Sequence, residues 1–154
     1  MQRVHVETIL PTDADAVWRA MHYPVTFLYV CRGLFGMPAL AGRSAPLQVG
    51  ERGTGWLFAF HVFPAYRHTL EIRSVDPDSR TITTHEFGGV LKNWDHTLHV
   101  EPVTELTCRY ADTVDIDAGV LTPVAVRIAR GLFAYRQRRW HRLVARHLMT
   151  ERLS

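Results

Sequence analysis

Apolar and polar residues alternate through Val4-His5-Val6-Glu7-Thr8-Ile9-Leu10, the period of two that a half-buried β-strand requires. Pro11 ends the run. Thr12 or Asp13 then offers an N-cap for a short helix whose apolar side is Val17, Trp18, Ala20 and Met21. Pro24 closes that helix, and Val25 to Val30 predicts a second helical piece. From Gly33 to Gly55 glycine and proline punctuate the chain, which reads as loop with a short strand around Leu47 to Val49. Its small residues suit it to act as a lid over a cavity.

The pattern sharpens from Trp56. Strands are predicted over Trp56 to Phe63, Arg67 to Val75, Thr81 to Phe87, Asn93 to Val100 and Leu106 to Ile116. Pro64-Ala65, Asp76-Pro77-Asp78-Ser79, Gly88-Gly89 and Glu101-Pro102 supply the turn chemistry between them. Connections this short imply an antiparallel meander, because parallel strands need long crossovers. "DAGVLTP" then places Thr122 as an N-cap and Pro123 at the first helical position, where its missing N–H costs nothing. A long helix follows to about Met149, with Ala125, Ile128, Ala129, Leu132, Phe133, Trp140, Leu143, Val144 and Leu148 at helical spacing. Strand, short helices, several strands and a long helix make an α+β order. If the sheet curls around that last helix, a cavity can form between them.

Ionisable residues interrupt the apolar faces. In "NWDHTLHV" the face of Trp94, Leu98 and Val100 also carries His96, and in the next strand the face of Cys108, Tyr110, Val114 and Ile116 also carries Asp112. A turn centred on Thr104 pairs His96 with Asp112, since opposite residues of an antiparallel pair keep a fixed register. Extending the meander sets Leu70 opposite Glu86, Thr84 near His96 and Glu86 near Trp94. The inner faces then read Trp56, Phe58, Phe60, Val62; His68, Leu70, Ile72; and Ile82, Thr84, Glu86. A slip of one residue in any turn would move a whole set outward.

Four readings compete for His68, Glu86, His96 and Asp112. They can form a satisfied polar network, which avoids a cost of about 1 to 3 kcal/mol for each buried group left unpaired. They can orient a ligand in an apolar pocket. They can do acid–base chemistry, with Asp112 orienting His96 and with Glu86 or Tyr110 exchanging a second proton. They are also suitable metal ligands, but no H-x-x-x-H or similar spacing supports a metal site. No cofactor is expected: Gly53-Thr54-Gly55 is too short for a phosphate loop, and no G-x-S-x-G or Walker pattern occurs. Phe133 and Trp140 read as core that doubles as pocket wall. Arg136, between them on the stripe, can reach a ligand carboxylate or snorkel to the rim, and snorkelling is the more usual behaviour.

A chain of 154 residues is long enough for one domain that buries roughly two thirds of its unfolded surface, so one domain over residues 1–154 is expected. No run of about 18 apolar residues occurs, and MQRVHVETILP lacks the features of a secretory signal. Cys31 and Cys108 form neither a C-x-x-C pair nor a disulfide framework. A cytoplasmic location is expected. The net charge of +3 comes from 17 arginines and the single Lys92, and eight of the arginines fall from Arg127 onward, where Glu151 is the only acid. Such a stripe can meet nucleic acid or an anionic membrane, but charge runs are usually a solvated helix face. No nucleic-acid partner is expected, and the chain is read as a monomer or homodimer.

The sequence resembles the START/Bet v 1-like (SRPBCC) superfamily, in particular its polyketide cyclase/dehydrase and lipid transport branch and the bacterial single-domain proteins within it. The resemblance runs through "VHVETILPTDADAVWRAM", "HTLEIRSVDPDSRTITTHEFGG", "WDHTLHVEP" and "RYADTVDIDAGVLTPVAVRIARGLFAYRQRRWHRL". A Trp-x-His strand, a following strand with Asp and the long helix match Trp94, His96 and Asp112. It implies a helix-grip fold: a seven-stranded antiparallel sheet curled around the C-terminal helix, with a cavity for hydrophobic or amphipathic small molecules. Members include sterol and lipid carriers, hormone receptors and aromatase/cyclases, although the two-domain cyclase layout is absent here. The expected function is to bind a hydrophobic or aromatic small molecule. His96 and Asp112 would anchor it, with His68, Glu86 and Tyr110 as secondary contacts and Trp56, Phe58, Phe60, Trp94, Phe133, Arg136 and Trp140 as further lining. The alternatives are a cyclase or dehydratase that uses His96, Asp112 and Glu86, and an interaction protein that works through the Arg-rich helix.

Overall fold

A computed structural model describes residues 1–60 and 62–153. Strand β1 (Gln2–Leu10) leads into α1 (Ala14–Met21) and α2 (Pro24–Cys31). Asp13 caps α1 by accepting from the Ala16 N–H at 2.8 Å, and Pro24 both closes the turn after α1 and opens α2, where a proline costs no hydrogen bond. The meander is β2 (Phe35–Gly36), β3 (Arg52–Ala59), β4 (Phe63–Asp76), β5 (Thr81–Gly88), β6 (Leu91–Thr104) and β7 (Thr107–Asp117), and α3 (Thr122–Leu153) ends the chain. The seven strands form one antiparallel sheet in the order β1-β7-β6-β5-β4-β3-β2. The long helix lies across the curled sheet in the helix-grip arrangement, tied to β1 by Gln137, whose amide donates to the Val6 carbonyl at 2.6 Å. Among the described residues no helix is long and apolar enough to cross a membrane.

Several sequence expectations need correction. No strand forms at Leu47 to Val49; the short strand of that segment is β2. The strand expected over Trp56 to Phe63 begins at Arg52 and ends at Ala59, where Phe60 takes a positive φ of 51°; His61 lies outside the described residues. The strand expected from Arg67 begins at Phe63. Thr122 does not cap α3: its hydroxyl accepts from the Ala118 N–H and donates to the Gly119 carbonyl, which closes the turn before the helix. The apolar position Leu148 lies outside the residues whose side chains are described.

The sharpest difference is the face of β3. Gly53 pairs with Leu70 and Gly55 with His68, so Gly53, Gly55 and Leu57 point inward. Trp56 is 51% exposed on the outer face, and Phe58 goes outward with it. Bulky aromatic residues suggested the opposite face, but the inner surface needs small residues here: a β-carbon on Gly55 would come within 3.0 Å of the Ala39 side chain.

Glycine is also required at the β5–β6 turn. Gly88 has φ +148°, and a β-carbon there would lie 2.2 Å from the Arg67 carbonyl oxygen. Gly88→Ala is expected to cost about 1 to 3 kcal/mol of stability, measured by urea denaturation. A loss below a few tenths would show that the turn relaxes freely.

Candidate functional site

The core divides into two apolar clusters with a polar layer between them. One is built on Leu10, Ile82, Tyr110 and Trp140, the other on Val4, Val114, Ile116 and Phe133. The division follows from the pleat and the helical repeat. On β7 Asp112 falls between Tyr110 and Val114, on β6 His96 falls between Trp94 and Leu98, and on α3 Arg136 falls one turn from both Phe133 and Trp140. Glu86 on β5 and His68 on β4 complete the layer, and all five are buried.

These groups form a connected chain. The His68 Nε2–H donates to Glu86 Oε2 at 2.9 Å, and the Thr84 hydroxyl donates to Glu86 Oε1 at 2.7 Å. His96 Nδ1 lies 3.9 Å from Glu86 Oε1, beyond hydrogen-bond reach, while its Nε2–H donates to Asp112 Oδ1 at 2.9 Å. The Tyr110 hydroxyl donates to the same Asp112 oxygen at 3.0 Å, and Arg136 Nη2 stands 3.7 Å from it. His96 Nε2 engages Asp112, although the two are not opposite each other. His96 pairs with Val114 and Leu98 with Asp112, because the β6–β7 turn falls on Glu105 and Leu106 rather than around Thr104. A two-residue slip keeps every side chain on its face, so His96 and Asp112 meet as diagonal neighbours. The pairs of Leu70 with Glu86, Thr84 with His96 and Glu86 with Trp94 are as expected from the sequence.

Protonation follows from these contacts. Burial alone would raise the Asp112 pKa, but the Arg136 charge and the His96 hydrogen bond outweigh it and hold the carboxyl below its usual range. Burial likewise opposes ionisation of Glu86, and the hydrogen bond from His68 together with the attraction of the nearby His96 ring overcomes it, so Glu86 is also a carboxylate. For His96 burial favours the neutral ring, yet Asp112 and Glu86 raise its pKa. Tyr110 is pushed well above 10, chiefly by burial and the Asp112 charge, and stays a phenol.

Two adjoining chambers open on this layer, of about 390 Å³ and about 600 Å³. The smaller lies between the α1–α2 end, the 37–55 segment and the inner faces of β3 to β6; Ile72, Leu98 and Trp140 line it. The larger lies against the first half of α3, lined by Leu57, Tyr66, Trp94, Leu132 and Phe133 among others. Phe27, Met37, Glu86, His96 and Arg136 belong to both walls. The Gly33 to Gly55 segment contributes Met37, Leu40 and Leu47 to the smaller chamber and Leu34, Phe35 and again Met37 to the larger.

Each sequence candidate now has a place. His96 and Glu86 line both chambers, His68, Trp94 and Phe133 the larger and Trp140 the smaller. Phe60 reaches the larger chamber from its rim, 65% exposed. Asp112 and Tyr110 line neither and stand behind His96, and Trp56 and Phe58 take no part. Arg136 does not snorkel. It is only 3% exposed, with its guanidinium 5.5 Å from the Phe133 ring centroid and 5.8 Å from that of Phe27. Sequence reasoning missed Phe27, Met37 and the supporting role of Thr84; α2 is apolar on every side and marked none of its residues. Among the described residues, no group of three or more His, Cys, Asp or Glu side chains could hold a metal ion.

A family model matches residues 34–147. The chain belongs to the family described as a domain of unknown function (DUF8410). No curated protein matches its sequence. Solved structures share the fold. Norcoclaurine synthase from Thalictrum flavum, in complex with dopamine and hydroxybenzaldehyde, superposes with a TM-score of 0.70 at 16% identity over 95% of this chain and 87% of that one. A START superfamily protein from Mycobacterium smegmatis gives 0.65 at 10% identity over 94% and 97%. A protein from Thermus thermophilus gives 0.68 at 13% identity over 95% and 99%. The fold shared with these structures is the helix-grip fold, that START superfamily protein among them.

Proposed function

We propose that the protein binds a hydrophobic or aromatic small molecule, lipid- or polyketide-like in character, across the two chambers. The observation that carries this reading is the wall the chambers share: His96, Glu86 and Arg136 present charge at the junction of two largely apolar spaces, whose other charged side chains are Arg43, Glu51 and Arg52 in the smaller and His68 and Arg127 in the larger. Apolar walls supply affinity and a few fixed polar groups supply orientation. His96 is the central anchor, because Asp112 fixes its ring from behind and leaves Nδ1 for the ligand. The test is mass spectrometry of the purified protein under native and then denaturing conditions, wild type beside His96→Gln. A small molecule should accompany the wild type and be lost from the variant, with affinity reduced about tenfold or more, the scale of one hydrogen bond to a charged group. An identical ligand load in both would remove His96 from the site.

A second reading, acid–base catalysis by a cyclase or dehydratase, is favoured by the placement of His96 between two carboxylates. Norcoclaurine synthase shows that this fold can host an enzyme acting beside aromatic ligands. The proton that Asp112 and Glu86 hold on His96 suits it to protonate a carbonyl or departing oxygen. Catalysis would show a pH–rate profile that His96→Gln and Glu86→Gln abolish. A carrier would show ligand retention and no turnover.

A further inference from the structure

Arg136 is an anomaly for a buried cation. Its Nε is buried with no hydrogen-bond partner among the described residues. Its nearest carboxylate oxygen, Asp112 Oδ1, is 3.7 Å from Nη2, close enough for attraction between charges and too far for a hydrogen bond. The faces of Phe27 and Phe133 hold the guanidinium in place, but ring faces satisfy charge and not N–H donors. A buried guanidinium with unused donors is costly, and such exceptions in a native fold call for an explanation. Arg136 lines both chambers, so a bound molecule can supply the missing acceptor.

The neighbouring carboxylates do not oppose this. Both oxygens of Glu86 already accept, from Thr84 and His68, Glu51 on the wall of the smaller chamber is paired with Arg43, and Asp112 stands behind His96, outside either chamber. What the shared wall offers a ligand is the Arg136 fork together with His96 Nδ1. We infer that the ligand has an apolar body bearing one anionic oxygen group, a carboxylate in the first instance, and that Arg136 receives it. The inference rests on the cavity-binding reading above and adds the chemical class of the ligand.

Two readouts separate the two claims. N-phenyl-1-naphthylamine, a neutral dye that brightens in apolar surroundings, reports whether the cavity binds at all. Dodecanoate, dodecan-1-ol and dodecylamine then compete with it at pH 7 below micelle formation, and the pair of 2-naphthoate and 2-naphthol distinguishes an aromatic acid from an alkyl one. The dye should bind, and in at least one series the carboxylate should displace it at a concentration about tenfold lower than the matching alcohol, with the amine weakest. In Arg136→Met the dye should still bind and the preference for the acid should vanish; Arg136→Lys should keep part of it. A wild type that binds the dye but ranks alcohol or amine equal to or above acid overturns the anion inference alone, and that ranking decides the matter even if Arg136→Met does not fold. Survival of the acid preference in Arg136→Met also overturns it. Failure of the wild type to bind the dye overturns the cavity reading and this inference with it.

Discussion

Alanine in place of Asp112 lowers the free energy of unfolding by about 3 to 5 kcal/mol, the cost of removing one partner from a buried ion pair. The carboxylate is fully buried, accepts from both His96 and Tyr110 through one oxygen, and is the anion nearest Arg136. Without it a phenol and a ring N–H lose their acceptor and a guanidinium loses its counter-charge. Urea denaturation at neutral pH measures the change. Asp112→Asn should lose less, because the amide keeps the shape and one acceptor oxygen. Equal stability of Asp112→Ala and wild type would mean that the polar layer does not hold the two apolar clusters together, and that Asp112 matters to the ligand alone.

Stability should also fall on both sides of a window between about pH 5 and 6.5. Glu86 and Asp112 have folded pKa values below their unfolded ones. Their contribution is therefore fully present above the unfolded carboxylate range near pH 4 and is lost as pH falls toward the folded values. His96 has the opposite sign. Its folded pKa is raised, so its contribution is complete below the unfolded value of about 6.5 and disappears as pH rises through the folded value. The groups facing His96 are Glu86 from β5, Asp112 and Tyr110 from β7, and Arg136 from α3. Tyr110 remains a phenol throughout this range, and the Cys31 thiol of α2, raised by burial to about 12, remains protonated. Urea midpoints from pH 3 to pH 9 test the window. Glu86→Gln should flatten the acid limb and His96→Gln the alkaline one. A wild-type curve that is level from pH 3 to pH 9 would show that these groups titrate alike folded and unfolded.

The parts legible in the sequence were those governed by local periodicity. Alternation around His96 and Asp112 assigned both to an inner face, and that assignment survived an error in the turn because the slip was by an even number of residues. The same logic failed on β3. Bulk does not mean burial there: the inner face belongs to Gly53, Gly55 and Leu57, and at Gly55 the Ala39 side chain leaves little room for a larger residue. Nothing local marked Phe27 as cavity wall, because a helix that is apolar all round has no distinguishable inner side, and Met37 sits in the irregular stretch after β2, where no period assigns a face.

By itself the sequence determined the element order, the antiparallel meander, the long closing helix and the inward set His68, Glu86, His96 and Asp112, because side-chain period and turn chemistry are properties of short stretches. Tertiary structure alone decided how those groups share protons and which of them reach open space. His96 and Glu86 face the chambers while Asp112 stands behind them, a matter of depth that no periodicity encodes. It also decided the fate of Arg136. On an isolated helix a long cationic side chain extends to water, but here the rings of Phe27 and Phe133, brought from two different helices, enclose its guanidinium beside Asp112.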